Sequence, residues 1–216
     1  MTNILIDLLP TTIKVGGRYI PINYDFRTSI LFEMLMLDDD VDDDEKSIRM
    51  IELYFNDISF INNENSSEVI KGILDFYCCG KKNDEIEECV NGNEGNVAVE
   101  ERIYDFNYDD IYIYTAFLEQ FGIDLQDVED LHWWKFKAMF NSLKEDCKFC
   151  KILEYRSVDL NEIDDENQKK FYKKMKEIYK IPTKQNKSEK QRQEIIKQML
   201  IEGKDPKDLL RSEWGD

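Results

Sequence analysis

Apolar and polar positions alternate near the start of the chain. Ile13 and Val15 each have polar neighbours, and Gly16-Gly17 follows directly before a second β-rich run that contains Pro21. Both glycines can adopt positive φ without a Cβ penalty, so the pattern predicts a β-hairpin over residues 11–23. Proline cannot donate a ladder hydrogen bond, which makes the second strand an edge strand.

From Asp25 onward the period changes to three or four residues, which is typical of amphipathic helices. The predicted inward stripes are Phe26, Ile30, Met34 and Leu37; Ile48, Ile51 and Phe55; Val69, Ile70, Ile73, Leu74 and Tyr77; Ile111, Tyr114, Leu118 and Phe121; and Trp133, Phe136, Phe140 and Leu143. The last stripe belongs to one predicted helix over residues 131–153. A further helix is expected from Asn161 to Lys180.

Helix ends are predicted from capping residues. Asp25, Asn65 (with Glu68 three positions later) and Asn107 are expected N-caps, because their short side chains can accept free backbone N–H groups. Gly80 and Gly122 are expected at helix C-termini, where a left-handed residue often occurs.

These patterns predict a mainly α protein with a small N-terminal β-hairpin (α+β), organised as a single helical domain with a helical C-terminal extension. The domain is expected over residues 1–182, with a helical core over 25–180 and a variable insertion over 81–101. Residues 183–216 are expected to form a polar hinge and short C-terminal helices.

The net charge of the chain argues against one class of partner. The net charge is -17, which argues against nonspecific nucleic-acid binding, since that needs Lys and Arg at phosphates. Residues 1–130 hold 9 basic and 30 acidic residues, and residues 131–216 hold 20 and 16. No apolar run approaches the ~18 residues of a membrane span, and no signal peptide is apparent, so we expect a cytosolic protein without a membrane partner.

Two motifs suggest metal sites. Cys147-x-x-Cys150 suits zinc, but the remaining candidate ligands, Cys78, Cys79, Cys89 and His132, do not supply a second spaced pair. Buried free thiols are therefore the favoured interpretation. The acidic run from Asp38 to Glu45 suits calcium in composition but lacks the glycine and final glutamate spacing of an EF-hand loop. We expect no metal and no cofactor.

Catalytic motifs are not apparent either. The single histidine, His132, has no nearby nucleophile motif, and a packed or capping role is favoured over a general base. Arg27 and Arg156 could bind phosphate, but ion pairs with acidic residues are more common. The chain is therefore expected not to be an enzyme.

Residues across most of the chain resemble the phage gene-product-fifteen family. The most specific block is His132-Trp133-Trp134-Lys135-Phe136 with Gly122-Ile123-Asp124-Leu125 upstream. Further matching residues are Leu9-Pro10, Ile13–Val15, Gly16-Gly17, Tyr19–Asn23, Asp25–Arg27, Tyr104–Phe106, Asp109, Ile111-Tyr112, Phe117, Phe121, Ile152, Tyr155-Arg156 and Met175–Tyr179. The family-motif and core residues are thus His132, Trp133, Trp134, Phe136, Gly122, Asp124 and Arg156.

The resemblance implies a tail-module protein encoded just ahead of the tape-measure gene. Residues 1–182 would then be the tail-module domain. The implied function is that of a tail assembly chaperone, which binds the tape-measure protein, the major tail protein or both in the host cytoplasm. A minor structural protein retained in the virion tail is the alternative, and a small enzyme or host-factor inhibitor is a third hypothesis. The hairpin edge would also allow self-association.

Overall fold

The computed structural model describes residues 2–80 and 103–182. The elements are β1 (Thr12–Val15), β2 (Arg18–Pro21), α1 (Phe26–Met36), α2 (Asp43–Tyr54), α3 (Ser66–Tyr77), α4 (Asp110–Phe121), α5 (Trp133–Asn141), α6 (Lys148–Ser157) and α7 (Glu166–Ile178). The expected class, mainly α with an N-terminal hairpin, is confirmed. The predicted insertion 81–101 and the extension 183–216 lie outside the described residues.

The hairpin forms where the alternation predicts it. β1 and β2 are antiparallel, and Val15 pairs with Arg18 across the turn. Gly16 and Gly17 have φ of 55° and 78°, so the turn requires the left-handed region that glycine adopts without strain.

The inner face of the hairpin packs on α3. Ile13 and Val15 are buried, and Gly72 of α3 faces Ile13, so that a Cβ at Gly72 would lie 2.8 Å from Ile13 Cδ1. Glu68 of the same helix accepts a 2.7 Å hydrogen bond from the Gly16 N–H. The marginal two-stranded ribbon is thus stabilised by a helix at both its face and its turn.

One hydrophobic core joins the hairpin to α6. Phe136 of α5 lies within it, with its ring stacked at 4.8 Å on Phe117, 4.9 Å on Phe26 and 5.7 Å on Trp133. Aromatic packing of this kind contributes beyond simple area burial. Trp133, Phe136 and Leu143 are buried as predicted, and Phe140 is partly buried.

The predicted inward face is wrong for α4 and right in part for α1 and α2. In α1 Phe26 is buried, and Ile30 and Met34 pack against the core, as predicted, whereas Leu37 is exposed. In α4 the buried residues are Ile113, Ala116 and Phe117. This helix carries apolar residues on two faces, so periodicity alone does not identify the buried one. In α2 the buried residues are Met50 and Tyr54, whereas Ile48 is 58% exposed.

The single helix predicted over residues 131–153 is also wrong, because the chain breaks between α5 and α6. Gln120 of α4 spans the break: its side-chain Nε2 donates to the Ser142 carbonyl and its Oε1 accepts the Lys144 N–H, each at 2.9 Å. These contacts satisfy backbone groups that an uninterrupted helix would have paired internally.

Some predicted caps are confirmed. The Asp25 carboxylate accepts the Arg27 N–H at 2.9 Å, and Gly122 ends α4 with φ of 66°. Gly80 also has positive φ just beyond α3.

Other predicted caps are right only in position, or wrong. Asn65 is the N-cap of α3 as predicted, but it makes no side-chain capping hydrogen bond, because its side chain binds the preceding loop. α4 begins after Asp109 rather than after Asn107. The helix expected from Asn161 begins only at Glu166, where Asp165 accepts two backbone N–H groups.

Candidate functional site

His132 occupies the N-cap of α5 and is 6% exposed. Its Nδ1 accepts the Trp134 N–H at 3.0 Å, so its Nε2 carries the proton and donates to the Pro10 carbonyl, also at 3.0 Å. Burial lowers the pKa of His132, and the bond to Pro10 opposes that shift only in part. Both nitrogens are engaged in holding the fold, as the expected packed or capping role requires.

The two neighbouring tryptophans satisfy the end of α3. Trp133 Nε1 donates to the Tyr77 carbonyl and Trp134 Nε1 to the Phe76 carbonyl, both at 2.8 Å. The last carbonyls of a helix have no intrahelical partner, so these indoles act as C-terminal caps supplied by another helix. Trp133 also stacks on the Tyr77 ring at 5.4 Å.

Backbone contacts hold the same region to the segment between the hairpin and α1. The Trp133 N–H donates to the Tyr24 carbonyl at 2.8 Å, and the Phe26 N–H donates to the Leu131 carbonyl at 3.0 Å. The conspicuous sequence block therefore joins three parts of the chain: the segment around Pro10, the end of α3 and the start of α1.

Arg156 lies in a second cluster, paired with Asp109. Its guanidinium donates twice to the Asp109 carboxylate, at 2.6 and 2.8 Å, and the Asp109 side chain is fully buried. Arg156 also donates to the carbonyls of Tyr179 and Ile103. One arginine thus connects α6 to the start of α4 and to the end of α7, and the expected ion pair is confirmed.

Gly122 and Asp124 shape the loop that follows α4. Asp124 accepts hydrogen bonds from the Tyr114 hydroxyl at 3.0 Å and the Gln126 N–H at 2.9 Å. The hydrogen bond from Gln126 holds the pKa of Asp124 below its usual value. Arg27 binds the same loop through the Leu125 and Val128 carbonyls while pairing with Asp25.

The buried polar groups of these clusters are all paired. Across residues 2–80 and 103–182, every buried side-chain nitrogen or oxygen has a hydrogen-bond partner. Within the same ranges, no set of three or more His, Cys, Asp or Glu residues is arranged to hold a metal ion. Through the contacts described above, the block from His132 to Phe136 holds several elements of the fold together.

The acidic run divides between a loop and a helix. Val41 is buried and anchors the loop, and Asp42 caps α2 by accepting the Glu45 N–H. Asp43, Asp44 and Glu45 form the first turn of α2, where negative charge is favourable. Lys46 donates to the Met36 carbonyl at the end of α1, so this corner is also stabilised locally.

The outer face of α4 carries exposed apolar residues at helical spacing. Ile111 is 57% and Leu118 is 42% exposed, and half-buried Tyr114 lies between them. These positions are three, four and seven residues apart, so they form one stripe, which we call the α4 stripe. Asp110 and Glu119 are exposed on either side of it.

A second exposed apolar segment precedes the hairpin. Leu5, Ile6 and Leu8 are 87%, 80% and 97% exposed. The segment is held as a turn because the Asn3 N–H donates to Asp7 and the Asp7 N–H donates to the Asn3 carbonyl. These apolar side chains therefore point to solvent.

Two positioning residues have little sequence signal. Asp109 is one acid among many in an acidic half, and only its match to the family pattern marks it. Gln120 has no local signal, because its partners lie 22 and 24 positions away in the chain.

In the part of the chain that the structure describes, no helix is both long and apolar enough to cross a membrane. Comparison with curated proteins and with solved structures finds no match. The profile of the family described as Bacteriophage Gp15 protein matches residues 5–181. This span includes the hairpin, all the helices above and both clusters. The chain therefore belongs to the bacteriophage Gp15 protein family.

Proposed function

We propose that this phage protein is a non-enzymatic tail assembly chaperone that binds the tape-measure protein in the host cytoplasm. The family match over residues 5–181 carries this proposal. The side chains of the family motif make hydrogen bonds and packing contacts inside the fold, which favours a binding role for the protein over a catalytic one.

The α4 stripe supports a helical partner. Ile111, Tyr114 and Leu118 have the spacing of the residues through which an amphipathic helix packs on a partner. A tape-measure protein is a long helical chain with apolar stripes that need cover before the tail tube surrounds it. Asp110 and Glu119 would favour a partner helix with basic residues beside its apolar stripe.

Co-expression with the tape-measure protein of the same phage tests this contact. We expect a soluble complex, and we expect the double substitution Ile111→Asp and Leu118→Asp to weaken binding at least about tenfold, which is about 1.4 kcal/mol. Both side chains are exposed, so the free energy of unfolding should change by only about 0.5 kcal/mol. Affinity would be measured by calorimetry or by recovery of a tagged tape-measure protein.

Ile48→Asp is the matched control, because Ile48 is similarly exposed on α2. It should leave binding unchanged. If the α4 double variant binds the tape-measure protein as tightly as the wild-type protein does, the contact lies elsewhere. If the wild-type protein forms no complex, the tape-measure assignment is rejected.

The alternative is a minor structural protein that stays in the tail. Tyr19 is 73% exposed on the hairpin. Among the described residues the hairpin forms a two-stranded sheet, and an edge of that sheet could pair with the major tail protein or with another copy. Mass spectrometry of purified virions separates the two roles. Stoichiometric presence in mature particles would reject the chaperone and support the structural role.

A further inference from the structure

Cys147 and Cys150 meet at the N-terminus of α6. Cys147 is the N-cap, and its sulfur accepts the Cys150 N–H at 3.4 Å. The Cys150 thiol donates to the Leu143 carbonyl at 3.8 Å. Both residues are partly exposed.

This arrangement suits a disulfide. Residues three apart at the start of a helix have Cβ atoms about 5–6 Å apart. A disulfide needs Cβ atoms about 3.5–4.5 Å apart, so a small rotation of the N-cap residue is enough. Cys147 precedes the first helical residue and is freer to make that rotation than a residue inside the helix.

The two sulfurs also differ in their surroundings. The Cys150 N–H points at the Cys147 sulfur, and Cys147 lies at the N-cap, before the first helical residue. Burial, together with the hydrogen bond to Cys147, raises the pKa of Cys150 to about 12. Cys150 therefore keeps its proton while Cys147 is the better placed nucleophile.

We propose that Cys147 and Cys150 are a redox-active dithiol that closes to an intramolecular disulfide on reaction with a low-molecular-weight disulfide. This inference is independent of the proposed role in tail assembly.

The reaction balances as two exchanges. The Cys147 thiolate attacks one sulfur of the small disulfide, whose S–S bond breaks and releases one thiolate. Cys150 then gives its proton to solvent, and its sulfur attacks the Cys147 sulfur of the mixed disulfide and releases the second thiolate. The protein dithiol loses two electrons, and the small disulfide gains them as two thiols.

Oxidised glutathione is the probe. The folded protein would be incubated in glutathione buffers of increasing oxidised fraction, blocked with an alkylating reagent and digested with trypsin. Cleavage after Lys148 separates the two cysteines, so a disulfide between them appears as the joined peptides Glu145–Lys148 and Phe149–Lys151. We expect this linked pair to replace the two alkylated peptides as the buffer becomes more oxidising.

Two variants separate chemistry from capping. Serine is a preferred N-cap residue, so Cys147→Ser should keep the fold. Because Cys147 is the thiol that attacks first, Cys150 should gain no glutathione adduct in this variant. Cys150→Ser keeps the backbone donor to Cys147 and should accumulate a mixed disulfide at Cys147. Cys79→Ser, which removes a partly exposed cysteine elsewhere, should leave the linked pair unchanged.

The proposal is overturned if both thiols stay alkylated in buffers where oxidised glutathione modifies Cys79. It is also overturned if folded Cys150→Ser, checked by circular dichroism, gains no adduct at Cys147. In either case the pair serves only as cap and packing.

Discussion

Three ring nitrogens in consecutive residues make hydrogen bonds to backbone carbonyls far away in sequence. His132 binds Pro10, Trp133 binds Tyr77 and Trp134 binds Phe76. Leaving a buried carbonyl or N–H without a partner costs about 1–3 kcal/mol. These side chains therefore stabilise the fold both by burial and by donating hydrogen bonds to backbone carbonyls.

Truncating Trp133 should be strongly destabilising. Trp133 is 2% exposed, so Trp133→Ala should lower the free energy of unfolding by about 3–5 kcal/mol. Trp133→Phe keeps most of the packing but leaves the Tyr77 carbonyl without its donor, and should cost about 1–3 kcal/mol. Urea unfolding followed by circular dichroism measures both.

Tyr19→Ala is the control for Trp133. The Tyr19 ring is 73% exposed, and its loss should change stability by only about 0.5 kcal/mol. A Trp133→Ala protein as stable as this control would contradict the assignment of Trp133 to the core.

His132 should make stability depend on pH. Its pKa is lowered in the folded protein, chiefly by burial, so the folded state binds a proton less readily than the unfolded chain. The stabilisation is complete above the unfolded pKa of ~6.5 and is lost as the pH falls through the lower folded value. The urea midpoint should therefore be lower at about pH 5.5 than at about pH 7.5.

The variant His132→Asn separates the pH dependence caused by His132 from that caused by carboxylates, because asparagine can cap a helix but does not titrate. The variant should lose less stability over the same pH interval. Equal losses in both proteins would show that other groups cause the change.

Local residue rules predict part of this site. His132 and Asp25 each cap a helix by accepting the N–H of the residue two positions later. Such short-range contacts can be predicted from the local sequence. The tryptophan donors meet carbonyls 56 and 58 positions away, and no local pattern indicates which backbone groups lie there.

At the scale of elements, apolar periodicity predicts that a helix exists more reliably than it predicts which face is buried. The α4 stripe has helical spacing and was expected inside, yet Ile113 and Phe117 face the core. The opposite faces of α4 are both apolar, so neighbouring elements decide the orientation. The break between α5 and α6 also depends on a neighbour, Gln120.

The contact between the hairpin and α3 should be sensitive to one methyl group. Gly72→Ala would gain about 1 kcal/mol of helix propensity, but its Cβ would lie 2.8 Å from Ile13 Cδ1 and 3.3 Å from Ile13 Cβ. We expect net destabilisation of about 1–3 kcal/mol from overpacking, measured by thermal or urea unfolding.

Ile13→Val removes the closer carbon, so it should partly rescue Gly72→Ala. In a double-mutant cycle the two substitutions together should cost less than the sum of the single losses. Strict additivity would mean that Ile13 and Gly72 do not contact as described.

For the whole molecule, Arg156 links the core to its last described helix. Its contacts to Asp109, Ile103 and Tyr179 join α4, α6 and α7. Losing the Tyr179 carbonyl would leave the Arg156 Nε–H without its acceptor, which costs about 1–3 kcal/mol. The C-terminal boundary of the stable unit should therefore lie beyond Tyr179.

Two truncations test this boundary. A chain ending at Pro182 retains α7 and should unfold with a free energy within about 0.5 kcal/mol of the full protein. A chain ending at Asp165 removes the Tyr179 carbonyl and uncovers the Tyr155 ring, and should lose at least about 2 kcal/mol. Equal stability of the two shortened chains would contradict the boundary.

The indoles that end α3 also give the molecule an optical reporter. The third tryptophan, Trp214, lies beyond Pro182, so in the chain ending at Pro182 all tryptophan emission comes from the contact between α3 and α5. A red shift of that emission would mark the moment when water reaches this contact. Comparing its midpoint with that of helix loss would show whether the molecule opens there before it unfolds elsewhere.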